Sequence, residues 1–400
     1  MNTQKKNSLV IAIFIATILA VFAGLLMQEK AQLANDYIKP FGNIFLNLIK
    51  TIVVPLVIFS ITQGVISMQD IKKVGLVGIK TIIFYLITTL CAITIALIVA
   101  NVFDPAGGFQ FNNTALEYKV NESPSFMTTI VNIFPDNIIK PLQNASMLQV
   151  IVISLFLGFG IIVSGEKGRV IANFVNSASE VCITIMGFII KLSPIGVFCL
   201  LCPVVASNGP AILRPLLRVI LVAYLAYIIH TGVVYSIIVS LFAKINPFTF
   251  FSKMAPAMVL AFASASSVGT LPLNMQCVEK LGGKREIASF TLPLGATINM
   301  DGTAIYQGVC AIFIAHCFGI QLDISQQLTI ILTATLASIG TAGVPGSGMI
   351  MLAMVLQSVG LPVEGIALVA GIDRIFDMGR TTLNITGDAA CTLAISKNTK

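Results

Sequence analysis

Long apolar runs separated by short polar gaps dominate the chain. Leu9 to Met27, Phe45 to Ile66 and Val74 to Val102 are each nearly free of charge. Each reaches the roughly 20 residues of helix needed to cross a hydrocarbon core about 30 Å thick. Similar runs cover Leu148 to Val163, Ile171 to Val205 and Leu213 to Ala243. Pro194 and Pro203 predict a kink or break in the second of these. The pattern is that of an all-α polytopic membrane protein.

The second half departs from simple spans. The apolar stretch from Phe248 to Leu281 is interrupted by the small-residue segment Ala263–Pro272, and that from Gln327 to Gly360 by Ser338–Gly348. Each flanking arm has only about 10 to 12 apolar residues, too few to span. Such a break between short arms predicts a re-entrant helical hairpin, because irregular backbone at membrane depth survives only where it lines a cavity or is buried in protein. Each hairpin is followed by a helix with a related polar segment, Asn299–Thr303 after the first and Asn384–Asp388 after the second. Both carry Asn, then Gly three residues on, with Asp and Thr around them. The echo predicts inverted repeats whose polar breaks face each other near the midplane, the arrangement that marks a transporter binding site.

Composition agrees. Only 10% of the 400 residues are charged and 56% are hydrophobic, against about 25% charged in soluble domains. The net charge of +7 does not point to nucleic acid, because the basic residues sit in short gaps: Lys5 and Lys6, Lys72 and Lys73, Lys167 and Arg169, Lys280, Lys284 and Arg285. Threading the spans puts these clusters on one side, which the positive-inside bias makes cytoplasmic together with both termini. No small-residue cleavage site follows the first run, so it is expected to be a retained helix. The eight cysteines are scattered, and Cys199 and Cys202 have no second ligand pair for a metal cage. His230 and His316 stand alone in apolar stretches. Sequons at Asn112, Asn121 and Asn144 arise in an Asn-rich external loop.

Charge inside the apolar segments carries the chemistry. No lysine or arginine occurs between Glu286 and Arg374, yet Asp301 lies deep in that stretch. A bare carboxylate there is costly unless paired, protonated or cation-bound. Oxygens of Asn299, Thr303 and freed carbonyls are hard ligands for a small cation, and sodium is the natural one. In the last helix Asp373, Asp377, Arg380, Asn384 and Asp388 stand at offsets 0, 4, 7, 11 and 15. At about 100° per residue they share one arc of about 80°. Such a stripe faces protein or solute, not lipid. Asp377 can hold an ammonium, and an arginine offers the planar two-pronged donor that suits a carboxylate. The Asp373, Asp377 and Arg380 spacings also allow a structural ion-pair ladder.

These segments resemble the dicarboxylate/amino acid:cation symporters, which include the excitatory amino acid transporters. The resemblance rests on Val54–Val57, Ser193–Phe198, Ser266–Pro272, Pro293–Thr303, Gly340–Gly348 and Asp377–Thr381 through Asp388, and so covers nearly the whole chain. It implies eight transmembrane helices plus two re-entrant hairpins, assembled as a homotrimer in the cell membrane, moving an acidic amino acid with sodium. A scaffold of residues 1–72 and 111–207 would hold a mobile domain of 73–110 and 208–400, which moves like an elevator. Its parts are hairpin 1 at about 248–281, helix 7 at about 286–318, hairpin 2 at about 327–360 and helix 8 at about 361–396.

By position, the resemblance gives Asp377 the substrate's amino group and Arg380 its side-chain carboxylate. Thr303, Thr381, Asn384, Ser266 and Ser267 of the first hairpin tip, and Gly343, Val344 and Gly346 of the second complete the pocket. Sodium would fall to Gly295, Asn299, Asn384 and Asp388; to Tyr85, Thr88, Thr89, Asn299 and Asp301; and to Thr297, Met300, Ser338, Ile339 and Thr341. Family members often carry an arginine at the first hairpin tip or beside the substrate aspartate. Here Ala265 and Met378 stand there, and Arg374 sits one turn before Met378. Proton-coupled members have a glutamate where this chain has Gln307. The sequence motifs of serine hydrolases, zinc proteases and intramembrane aspartyl proteases are absent, so the chain is not expected to be an enzyme. A channel is the weaker reading, because two gated hairpins imply occlusion.

Overall fold

A computed structural model describes residues 3–67, 76–110, 131, 134–144, 146–337 and 347–398. Every regular element among them is helical. The principal helices are α1 (Thr3–Leu26), α2 (Lys39–Ser67), α3 (Leu76–Phe103), α4 (Met147–Val163), α5 (Arg169–Lys191), α6 (Ser193–Asn208) and α7 (Leu213–Ile229). They continue with α8 (Pro247–Ser264), α9 (Ser267–Lys280), α10 (Arg285–Ile298), α11 (Asp301–Cys317), α12 (Ile324–Ala337), α13 (Ser347–Ser358) and α14 (Asp373–Asn398). Among the described residues, Val77–Phe103, Gly165–Ile189 and Gly209–Leu241 are each long and apolar enough to cross a membrane unaided.

The run from Ile171 to Val205 does break. Its two helices part at Leu192, and Pro194 takes the first turn of α6, where its missing N–H costs nothing. Pro203 sits inside α6 without ending it. Packing sorts the helices into two groups. In one, α1 lies on α6, and α2 lies on α4, α5 and α6. In the other, α3 lies on α11, α7 and α12, while α14 lies on α7, α8, α9, α10 and α11. The α13 helix touches α2 and α4 of the first group as well as α11 of the second. Every residue of α11 except His316 is buried, so this helix is the core of the second group. At its far end His316 Nδ1 lies 2.8 Å from Asp104 Oδ1, tying α11 to the end of α3.

The helices expected to form the hairpin arms pack in pairs, α8 against α9 and α12 against α13. Asn246 caps α8 by accepting from the Phe248 N–H at 2.9 Å, and Pro247 follows at the first turn. The chain then reverses at Ala265, whose φ of 45° and ψ of 49° put a non-glycine residue in the left-handed region. Ser266 caps α9 by accepting from the Gly269 N–H at 3.2 Å. The tip of the second hairpin lies outside the described residues.

The two expected polar breaks differ. The first is present: α10 stops at Ile298, Asn299 is extended, and α11 starts at Asp301. The second is absent, because α14 runs unbroken through Asn384–Asp388. Thr386 and Thr392 hydroxyls donate back to the Thr382 and Asp388 carbonyls at 2.7 Å each, and this is compatible with an intact helix. Gly387 serves close approach instead, since a Cβ there would collide with the Tyr235 hydroxyl and the Asn299 amide. The last helix also starts later than expected. Leu361–Ile372 holds a 3₁₀ turn at Val363–Gly365 and a five-residue α-helix at Ile366–Ala370, and α14 begins at Asp373.

Candidate functional site

One face of α14 carries the site. Asp373, Asp377, Arg380, Thr381, Asn384 and Asp388 are all buried. Arg380 Nε donates to Asp377 Oδ1 at 3.0 Å, and its Nη1 donates to Asp373 Oδ1 at 3.0 Å. Its guanidinium lies 4.9 Å over the Tyr306 ring, a cation–π contact from α11. Gly348 at the start of α13 passes so close that a Cβ would collide with the guanidinium. Thr381 Oγ1 donates to Asp377 Oδ1 at 3.5 Å. Arg374 reaches the other side of Asp377, 3.4 Å from Oδ2, and donates to the Ser264 carbonyl at the first hairpin tip at 3.2 Å. Its side chain thus fastens the α8–α9 reversal to α14 beside Asp377.

Further along α14 the site changes from arginine–carboxylate pairs to an acid, Asp388, held by an amide. Asn299 in the α10–α11 break donates to Asp388 Oδ1 at 2.8 Å and to the Asn384 carbonyl at 3.1 Å. Its own Oδ1 is buried with no partner among the described residues. A Cβ on Gly295 would collide with Asp388 Oδ1, and the Tyr85 hydroxyl is also at that spot. Gly295, Asn299, Asn384 and Asp388 therefore stand together. Asn384 Oδ1 accepts from the Gly302 N–H at 2.8 Å, which also pins the start of α11 to α14.

Asp301 forms the second acidic centre. Its Oδ1 accepts from Thr89 and Thr88 hydroxyls on α3 at 2.7 and 3.2 Å. Tyr85 donates to the Thr291 carbonyl at 3.0 Å. Neither Asp301 nor Asp388 has a lysine or arginine partner among the described residues. Met300 Sδ accepts from Asn384 Nδ2 at 3.4 Å and lies 3.7 Å from Thr303 Oγ1. Ser338, Ile339, Thr341, Gly343, Val344 and Gly346 fall outside the described residues. Thr297 lies in α10, but its side chain is also outside them.

Two groups on Asp301 escape the sequence motifs. Tyr235 donates to Asp301 Oδ2 at 2.8 Å, and His230 Nε2 lies 3.3 Å from the same oxygen. Both sit in a π-helical turn, His230–Tyr235, that extends α7. Such turns recur at functional sites because they re-aim side chains. The lone histidine in an apolar run was the one available signal.

The sodium:dicarboxylate symporter family model matches residues 9–398. The chain belongs to that family. It is similar over 98% of its length to the proton/sodium-glutamate symport protein of Geobacillus stearothermophilus, at 38% identity and 95% of that relative. It is 34% identical to the proton/glutamate-aspartate symporter of Escherichia coli, over 98% of this chain and 93% of the relative. It is 31% identical to a C4-dicarboxylate transport protein of Bacillus subtilis, over 98% and 94% respectively. This family member is a membrane symporter, not an enzyme.

Proposed function

We propose that this symporter imports aspartate or glutamate together with sodium. The observation that carries the reading is the pairing on α14 of Asp377, an acid for an ammonium group, with Arg380, a planar donor for a carboxylate. Asp373, Asp377, Arg374 and Arg380 cancel in formal charge. An acidic amino acid, formally −1 overall, therefore needs a cation with it. A dicarboxylate without an ammonium group would meet Asp377 as a like charge, so it is the poorer substrate.

Asp301 and Asp388 supply the cation sites in this reading. Their surroundings include hydroxyl and carbonyl oxygens, hard donors suited to sodium, and Asn299 Oδ1, unpartnered among the described residues, is a further buried oxygen. The third set, Thr297, Met300, Ser338, Ile339 and Thr341, belongs to the same proposal. Gln307 is buried in α11 and does not titrate, so the chain has no proton-carrying glutamate at that position. Proteoliposomes under an imposed sodium gradient are expected to accumulate aspartate. Accumulation under a pH gradient alone, without sodium, would overturn the coupling.

Residues 73–110 and 208–400 are taken as the moving domain of an elevator. Residues 1–72 and 111–207 are taken as the scaffold of a homotrimer in the cell membrane, with both termini cytoplasmic. The grouping of α1, α2, α4, α5 and α6 apart from α3 and α7–α14 supports this division, with α12 and α13 touching both groups. Arg374 is assigned to the first hairpin's movement rather than to substrate reading. Arg374→Ala is expected to keep the preference for aspartate over asparagine while changing the initial uptake rate. Loss of that preference at an unchanged rate would reverse the assignment.

A further inference from the structure

Arg380 is gripped by more carboxylate than substrate recognition requires. Besides the Nε bond to Asp377, Nη1 and Nη2 both face Asp373, at 3.0 Å from Oδ1 and 3.5 Å from Oδ2. Asp373 thus meets the fork two-on-two, as a ligand carboxylate would. Asp373 is 6% exposed and Arg380 is 3% exposed, so water does not screen the pair. The Tyr306 ring lies beneath the guanidinium at 4.9 Å and is packed in turn against Phe376, with ring centroids 5.1 Å apart. The cation is therefore fixed in place.

We infer that Asp373 is the resident counter-carboxylate of Arg380, holding its fork when no acidic side chain is bound and setting how strongly the pocket prefers acidic over neutral substrates. The inference rests on the reading of Arg380 given above. Asp377 holds only Nε, so without Asp373 the two Nη groups of a buried arginine would stand open between transport cycles, a costly state that Asp373 removes. A guanidinium has five N–H donors, and three are committed to Asp373 and Asp377. One N–H on each Nη is left, so an incoming carboxylate shares the cation with Asp373 or displaces it. In both cases the fixed negative charge opposes an acidic substrate and does not act on a neutral one of the same shape. Asp373 is thereby a specificity-determining residue rather than a rung of a structural ladder.

The two roles separate in Asp373→Asn. The amide oxygen still accepts from Nη1, so Arg380 stays in place, but the opposing charge is gone. Like charges a few ångströms apart in a buried site alter binding by about tenfold or more. Aspartate and its neutral isostere asparagine are titrated calorimetrically into the detergent-solubilised full chain at fixed sodium, with thermal unfolding as the check on folding. The aspartate-to-asparagine affinity ratio is expected to rise by about tenfold or more over wild type. Should Asp373→Asn not fold, Asp373→Ser supplies a second neutral variant with the same expectation. An unchanged or lower ratio in a folded variant overturns the inference. Wild-type protein that binds no acidic amino acid, or Arg380→Cys that binds aspartate as well as wild type does, would instead overturn the reading on which it rests.

Discussion

Arg380→Cys is expected to weaken aspartate binding by roughly 30- to several-thousand-fold. Removing one partner of a buried, hydrogen-bonded charge pair costs about 2–5 kcal/mol, and every 1.4 kcal/mol is about tenfold in affinity. Arg380 meets both conditions, being buried and bonded to two carboxylates. The loss is expected to be selective. Asp377 keeps its contact with Arg374, so an ammonium group still finds its acid, and small neutral amino acids such as serine keep measurable affinity.

Two observations separate this outcome from general damage. Arg380→Cys leaves Asp373 facing no cation, which destabilises the fold, and Asp373→Asn in the same chain relieves that penalty. The double variant is therefore expected to recover thermal stability but not aspartate binding. Competition of aspartate and serine in sodium-driven uptake reads the selectivity. If Arg374→Ala abolishes the acidic preference while Arg380→Cys still binds aspartate tightly, the two arginines have exchanged roles.

Much of the site is legible in sequence because membrane depth makes polarity expensive. Five polar or charged positions on one arc of an otherwise apolar helix have to face protein, and they do: Asp373, Asp377, Arg380, Asn384 and Asp388 are all buried along α14. The reversal between α8 and α9 is legible from the small-residue segment Ala263–Pro272, inside which Ala265 and Ser266 turn the chain. Asn384–Asp388 misled because a glycine among polar residues reads as a helix break, whereas Gly387 is there to let Tyr235 and Asn299 approach. Tyr235 was invisible for a different reason. A tyrosine in an apolar run has no distinguishing pattern, and only the π turn of α7 aims it at Asp301. The bidentate hold of Asp373 on Arg380 is similar, since i,i+7 spacing puts two residues on one face without fixing the rotamers that join them.

Asp301→Asn is expected to shift the sodium dependence of aspartate binding to concentrations higher by roughly 30-fold or more, the cost of one buried charge partner. The amide keeps the shape of the site and an oxygen for Thr88 and Thr89. It removes the charge that makes the centre attractive to a cation, and it leaves Tyr235 and His230 beside a neutral group. Asp301 does not touch the α14 charge pairs, so any effect on aspartate has to be relayed. The route is short: Asn299 bonds the Asn384 carbonyl, and Gly302, next to Asp301, bonds the Asn384 side chain. Coupling of this kind is reciprocal, so sodium that tightens aspartate in wild type must itself be tightened by aspartate to the same degree. Calorimetric titrations of aspartate across a hundredfold range of sodium, in wild type and variant, read both effects. Aspartate affinity independent of sodium in wild type, or an Asp301→Asn curve superimposable on it, would remove Asp301 from the cation path.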